Sequence, residues 1–243
     1  MNSETRSEPL VTTPEAPDYS VPWKFIDNWI GVALLGLIDV IIFVILLQQE
    51  RRAELAQSAA VLLLELSYLL PVIFIFAWRG VHWKYLRFGS FKWDTLGIGC
   101  GLLIGSYILI ILHNALLTLL GVNTQGENIV ELFAKLDSPL WFFIVGAIFA
   151  PLVEEIFFRG FLFQGLRARY GWMTAMLLSA AIFAVAHLDL VVLIPTFILG
   201  CLLAYVYHRS NSIWPGILLH FLVNASSLLG AYFVSTYQNV LPT

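Results

Sequence analysis

The sequence predicts an all-α fold, a polytopic transmembrane helical bundle of about seven spans. Three observations carry this expectation. The 243 residues are 59% hydrophobic and 12% charged, against roughly 45–50% and about 25% in ordinary soluble domains. A soluble domain of this size leaves roughly 25–30% of its unfolded surface in water after folding, and this chain has too little polar surface to cover that area. The apolar residues also gather into runs close to the ~20 residues with which a helix crosses the hydrocarbon core. Finally, every Lys and Arg except Arg159 falls outside those runs. A soluble globule, a disordered chain and a nucleic-acid binder are excluded. The net charge of -3 carries little information, because in a membrane the placement of charge decides.

Residues 1–27 are polar and contain Pro9, Pro14, Pro17 and Pro22. They lack a basic start followed by an apolar core, so they read as a solvated cytoplasmic tail and not as a cleaved signal. Apolar runs follow at about 28–48, 58–78, 96–120, 139–166, 172–188, 190–207 and 213–236. The fifth and sixth are short, with a hinge at Leu188-Asp189-Leu190, so that pair is either two spans or one shallow hairpin. Cys100 and Cys201 sit in apolar runs and have neither disulfide-framework nor metal-ligand spacing.

The basic residues orient the runs. With seven spans, one side carries Arg6, Lys24, Arg79, Lys84, Arg87, Lys92, Arg167, Arg169 and Arg209, and the other only Arg51, Arg52 and Lys135. The positive-inside rule then places the N-terminus in the cytoplasm. The connection from Trp78 to Trp93 interleaves its cations with Trp83, Tyr85, Phe88 and Phe91, which reads as an aromatic belt at the cytoplasmic interface. On the outer side Ile129, Val130, Leu132, Phe133 and Leu136 have helical spacing, and the segment is expected to lie flat on the membrane.

An ionisable side chain at membrane depth costs at least ~2.5–3.5 kcal/mol, so the spans that contain them are informative. Asp39, Glu65 and the pair His113 with Asn114 are isolated within their runs and read as hydrogen bonds to neighbouring helices. The C-terminal half is different, holding Glu154, Glu155, Arg159, His187, His220 and Asn224. Six such groups are hard to explain as packing. Glu155 and Arg159 stand at i,i+4 with the acid first, the favourable order for an ion pair. Glu154, turned about 100° away around the helix, is left free, as a general base requires. Pro151 removes a backbone donor one turn earlier and is expected to kink the helix there. Counting ~1.5 Å per residue from the cytoplasmic ends puts Glu154 about 20 Å deep, His187 about 22 Å, Asn224 about 16 Å and His220 about 10 Å. His220 and Asn224 share one helix face, as do Phe183 and His187.

The segments Glu154-Glu155-Ile156-Phe157-Phe158-Arg159, Phe183-Ala184-Val185-Ala186-His187 and His220-Phe221-Leu222-Val223-Asn224 resemble the three motifs of the CPBP family. That family comprises CAAX prenyl endopeptidases, bacterial Abi proteins and bacteriocin self-immunity proteins. The resemblance covers about residues 138–243. It implies a catalytic core there; the N-terminal transmembrane helices over 28–137 rest on the apolar runs and carry none of the motifs. It also implies an intramembrane endopeptidase in the cytoplasmic membrane, in which Glu154 and His187 activate water and His220 and Asn224 hold the oxyanion. Glu155 and Arg159 then support the site structurally. The implied substrate is a membrane-embedded peptide or protein, including a prenylated CAAX-type chain.

Alternatives stand beside this reading. The same groups would also serve as a hydrogen-bonded core joining three helices, although an unpaired Glu154 is a poor structural device. A non-catalytic membrane binding or immunity protein would keep the scaffold. A transporter is disfavoured because no internal repeat is present. No cofactor is favoured. Zinc bound by Glu154, His187 and His220 with water in the fourth position is the alternative, but it would use Glu154 as a ligand, and no HExxH pattern occurs.

Overall fold

The computed structural model describes residues 19–48, 54–135 and 139–238, and all regular structure among them is helical. In chain order the helices are α1 (Phe25–Gln48), α2 (Glu54–Ser67), α3 (Leu69–Arg79), α4 (Trp93–Leu119) and α5 (Gln125–Lys135). They continue as α6 (Pro139–Tyr170), α7 (Trp172–Ala186), α8 (Leu193–Ser210) and α9 (Trp214–Gln238). Arg6, Arg51, Arg52 and Leu136, and the boundary expected at 137/138, lie outside the described residues.

Among the described residues, six segments are long and apolar enough to cross a membrane, one of them the composite Val61–Arg79 formed by α2 and α3 across Tyr68. The chain is an integral, multi-pass helical membrane protein. The seventh apolar run is α7, whose 15 residues extend about 22 Å, less than the hydrocarbon thickness. Its partner run begins only at Leu193, so the hinge expected at Leu188-Asp189-Leu190 is a connection over residues 187–192. There Leu188 takes a positive φ of 52°, and Asp189 Oδ1 accepts the Val191 N–H at 2.9 Å.

The centre of the bundle is α6, buried without interruption from Val153 to Arg167. Its Phe157, Phe158, Phe161 and Phe163 are inaccessible, and their rings meet Tyr68, Trp23, Phe183 and Tyr207 at centroid separations of 5.0–5.9 Å. Aromatic side chains bury the largest areas per residue, so this Phe-rich stretch is the natural post for the other helices. The large apolar side chains of α1 and α4 that remain exposed, such as Phe43, Ile104 and Ile108, face what would be lipid.

Pro151 acts on α6 differently from a simple kink. The segment is α-helical over Pro139–Ile144, π-helical over Val145–Phe149, α-helical over Ala150–Glu155 and π-helical again over Ile156–Phe163. Pro151 offers no N–H to the carbonyl four residues back, and just before it the Ala150 N–H bonds Val145 O, five residues back. Glu154 and Glu155 therefore project from a short α-helical stretch between two wider π segments, a feature that recurs at functional sites.

Two peripheral segments are more firmly placed than expected. Within the aromatic connection, Arg87 Nε donates to Gln164 Oε1 at 2.7 Å and the Ile213 N–H to Arg87 O at 3.0 Å. Ser212 Oγ donates to Gly89 O at 2.7 Å. The connection is thus bolted to the end of α6 and the start of α9, while Trp83 and Phe88 remain exposed at the rim. Helix α5 forms, but its apolar face is not turned to lipid. Phe133, with Ile129 and Val130, packs on Phe142, Ala147, Ala225 and Leu228 of α6 and α9.

Candidate active site

The three polar stretches of the C-terminal half converge. Glu154 on α6, His187 at the C-terminal end of α7, and His220 and Asn224 on α9 line one cavity of about 490 Å³. Apolar walls from Leu103, Phe142, Leu199 and Val223 enclose them.

Glu155 and Arg159 form the expected i,i+4 ion pair, with Nη1 to Oε1 at 2.9 Å and both side chains fully buried. Arg159 Nη2 also donates to Gly200 O at 3.1 Å, and the guanidinium sits 4.6 Å over the Phe183 ring. The Glu155 carboxylate does more than neutralise Arg159, because its Oε1 lies 3.2 Å from His220 Nδ1. Gly216 gives the carboxylate room: a Cβ there would stand 2.7 Å from Glu155 Oε2. Since an ion-paired carboxylate only accepts hydrogen bonds, His220 Nδ1 carries a proton and its Nε2 faces Glu154 Oε2 at 3.7 Å.

His187 Nδ1 stands 2.8 Å from Phe183 O. A carbonyl accepts only, so Nδ1 is the protonated nitrogen and Nε2 keeps its lone pair. The Phe183 ring separates the two histidines, edge-on to His187 at 4.9 Å and to His220 at 5.8 Å between centroids. Asn224 Nδ2 donates to Gly146 O, in the first π segment, at 2.8 Å. That bond uses one of the two amide hydrogens and fixes the group, leaving the second hydrogen available.

Residues read as packing groups divide in two. His113 Nε2 meets Val191 O at 3.0 Å and steadies the connection after α7. Asp39 accepts from Ser67 Oγ at 2.7 Å, the helix-to-helix bond expected of it. Glu65 is different. It lines the same cavity as Glu154. Sequence reasoning missed its place in the cavity, although the cost of an acid at membrane depth was the signal that marked Glu65.

Among the described residues, no three His, Cys, Asp or Glu side chains come together in a way that would hold a metal ion. Glu154, His187 and His220 share the cavity without forming a ready ligand set.

Residues 136–226 match the Rce1-like family, described as type II CAAX prenyl endopeptidase Rce1-like. A Bacillus subtilis (strain 168) protein named "Putative membrane peptidase YdiL" is 31% identical over 104 residues, 43% of this chain and 43% of that one. The matched part is therefore less than half the length of that relative. A Lactococcus lactis subsp. lactis (strain IL1403) protein named "UPF0177 protein YxdF" is 26% identical over 185 residues, 73% of this chain and 99% of that one. No solved structure matches the chain.

Proposed function

Since residues 136–226 match the Rce1-like family, we propose that the chain is an intramembrane endopeptidase of the CPBP type. Its substrate is a membrane-associated protein or peptide, a class that includes prenylated CAAX-type chains. In this reading Glu154 takes a proton from a water in the cavity, with the Nε2 lone pair of His187 as a second acceptor for that water. The water oxygen bonds the carbonyl carbon of the scissile peptide. Charge develops on the carbonyl oxygen, and the free N–H of Asn224 meets it. His220, held at Nδ1 by Glu155, presents its Nε2 to the same oxygen. Glu154 then returns its proton to the leaving nitrogen as the C–N bond breaks. Fixed donors in a site that excludes water are worth far more than the same donors in bulk solvent. No cofactor enters this scheme.

The observation that supports it best is the meeting of Glu154, His187, His220 and Asn224, from three helices, around one cavity. By the basic-residue distribution, the protein sits in the cytoplasmic membrane with its N-terminus inside. Comparative proteomics of membranes from cells carrying the wild type or Glu154→Ala tests the reading. New N-termini present only with the wild type are expected, and identical proteomes would remove the peptidase assignment.

A further inference from the structure

We propose that the groove between α4 and α9 holds the substrate chain in extended form, with the hydroxyls of Ser227 and Tyr107 as hydrogen-bond partners for its backbone. The proposal rests on the peptidase reading and adds to it two residues outside the three motifs and outside the matched segment.

The groove has a volume of about 560 Å³ and is lined by Leu103, Tyr107, Leu222, Ser226 and Ser227. Leu103, Tyr107 and Ser227 also line the cavity that holds Glu154 and Asn224, so the two spaces adjoin. Toward the start of α4 the helices are in tight contact, with Gly99 so close to Leu219 that a Cβ would clash. Farther along, Tyr107 and Ser226 form, at 3.2 Å, the one hydrogen bond between α4 and α9 among the described residues. Ser226 gives its own hydrogen to Val223 O at 2.9 Å, so Tyr107 is the donor and its oxygen is left able to accept. The Ser227 hydroxyl is exposed and has no hydrogen-bond partner among the described residues. Hydrocarbon offers such groups no partner, and a lipid chain lying in the groove would leave them unmet. An extended peptide has the opposite need. A chain about to be cleaved is out of helical structure at the scissile bond, and non-helical backbone is tolerated at membrane depth only where protein or enclosed water pairs its N–H and C=O groups. Hydroxyls both donate and accept, and so suit either group. Ser227 also lies three residues after Asn224, one turn along the same face of α9. A chain bonded there runs on toward the oxyanion donor.

The test uses the full-length protein and a peptide spanning a site whose cleavage is lost in Glu154→Ala cells. Ser227→Thr keeps the hydroxyl, and Ser227→Val has the shape of that variant without it. KM is expected to stay near wild type in Ser227→Thr and to rise about 5-fold in Ser227→Val, the worth of one hydrogen bond, with kcat little changed in both. Tyr107→Phe, which loses only the phenolic oxygen, is expected to raise KM by a similar factor. A role in packing alone would neither separate KM from kcat nor tell Thr from Val. Equal KM in the two Ser227 variants would overturn the proposal and leave a lipid chain as the occupant of the groove. A second measurement needs no turnover. In Glu154→Gln protein with Cys100 and Cys201 replaced by Ala, Leu222→Cys or Leu229→Cys meets the same peptide carrying a cysteine three residues from the scissile bond. Both positions are exposed, but only Leu222 lines the groove. A disulfide to position 222 and not to 229 is expected, and equal yields, or none at 222, would overturn the proposal. If no site is lost in Glu154→Ala cells, the peptidase reading itself fails, and the proposal falls with it.

Discussion

His220 is the residue at which the two glutamates meet, with Nδ1 at 3.2 Å from Glu155 and Nε2 at 3.7 Å from Glu154. The two acids therefore have separable roles. Glu155 is fully buried between Arg159 and His220. Replacing it by Gln leaves Arg159 without its counter-charge, at roughly 3–5 kcal/mol for a broken buried pair, and also loosens His220. Glu155→Gln should lower both thermal stability and cleavage. Glu154→Gln should abolish cleavage with the unfolding temperature kept, because Gln accepts no proton. Equal unfolding temperatures in the two variants would contradict this division. Asn224 permits a sharper kinetic test. One of its amide hydrogens is committed to Gly146 O, which aims the other. Removing an oxyanion donor costs about 100–1,000-fold in turnover. Asn224→Ala should lower kcat by that order with KM little changed, measured on a peptide spanning a site found by the proteome comparison. Asn224→Asp should be worse, since it both repels the oxyanion and loses its donors to Gly146. A raised KM with unchanged kcat would make Asn224 a substrate-binding group.

At the scale of elements, the site depends on how closely α9 approaches α6. The approach is set at Gly216, where a Cβ would stand 2.7 Å from Glu155 Oε2. Gly216 has no special φ to satisfy, so the side-chain space alone is at stake. Gly216→Ala should displace the Glu155 carboxylate from Arg159 and His220 and destabilise by roughly 1–3 kcal/mol, the usual cost of overpacking. Thermal unfolding beside Gly230→Ala, where a Cβ meets nothing within 4 Å, provides the control. Such contacts mark the limit of what was legible in the sequence. Run length gave the six candidate spans and α7 to within a few residues, though α7 falls short of a crossing, and charge spacing gave the Glu155–Arg159 pair, because both are local along one helix. The bond from Glu155 to His220 spans 65 positions, and Glu65 and Glu154, which line one cavity, stand 89 apart. Neither leaves a periodic trace. The π segments were also hidden: Pro151 announced a broken ladder but not whether the backbone would bend or widen. Helix α5 was legible as amphipathic, but periodicity does not say whether its apolar face meets lipid or protein, and here it meets α6 and α9.

The whole molecule has two unlike ends. At one end Arg79 pairs with Asp27 at 2.7 Å, joining the end of α3 to the start of α1. Arg87 bonds Gln164, and Ser212 bonds Gly89. These contacts join the start of α1, the end of α3, the aromatic connection, the end of α6 and the start of α9, the segments whose Lys and Arg residues would mark a cytoplasmic face by the positive-inside rule. The cavity extends the other way. From Glu154 its walls run to Phe142, Pro195, Leu188 and Gln125, which lie at the opposite ends of their helices. Helix α7 is too short to fill the membrane on that side, and Leu188 beyond it is 86% exposed. A substrate segment would then enter from the side away from the cytoplasm. Single cysteines at positions 88, 128, 188 and 211, with Cys100 and Cys201 replaced by Ala, separate the possibilities in intact cells. A membrane-impermeant thiol reagent should label positions 128 and 188 from outside and reach 88 and 211 only after the membrane is opened. Labelling of 88 and 211 from outside, with 128 and 188 protected, would invert the protein and turn the cavity toward cytoplasmic substrates.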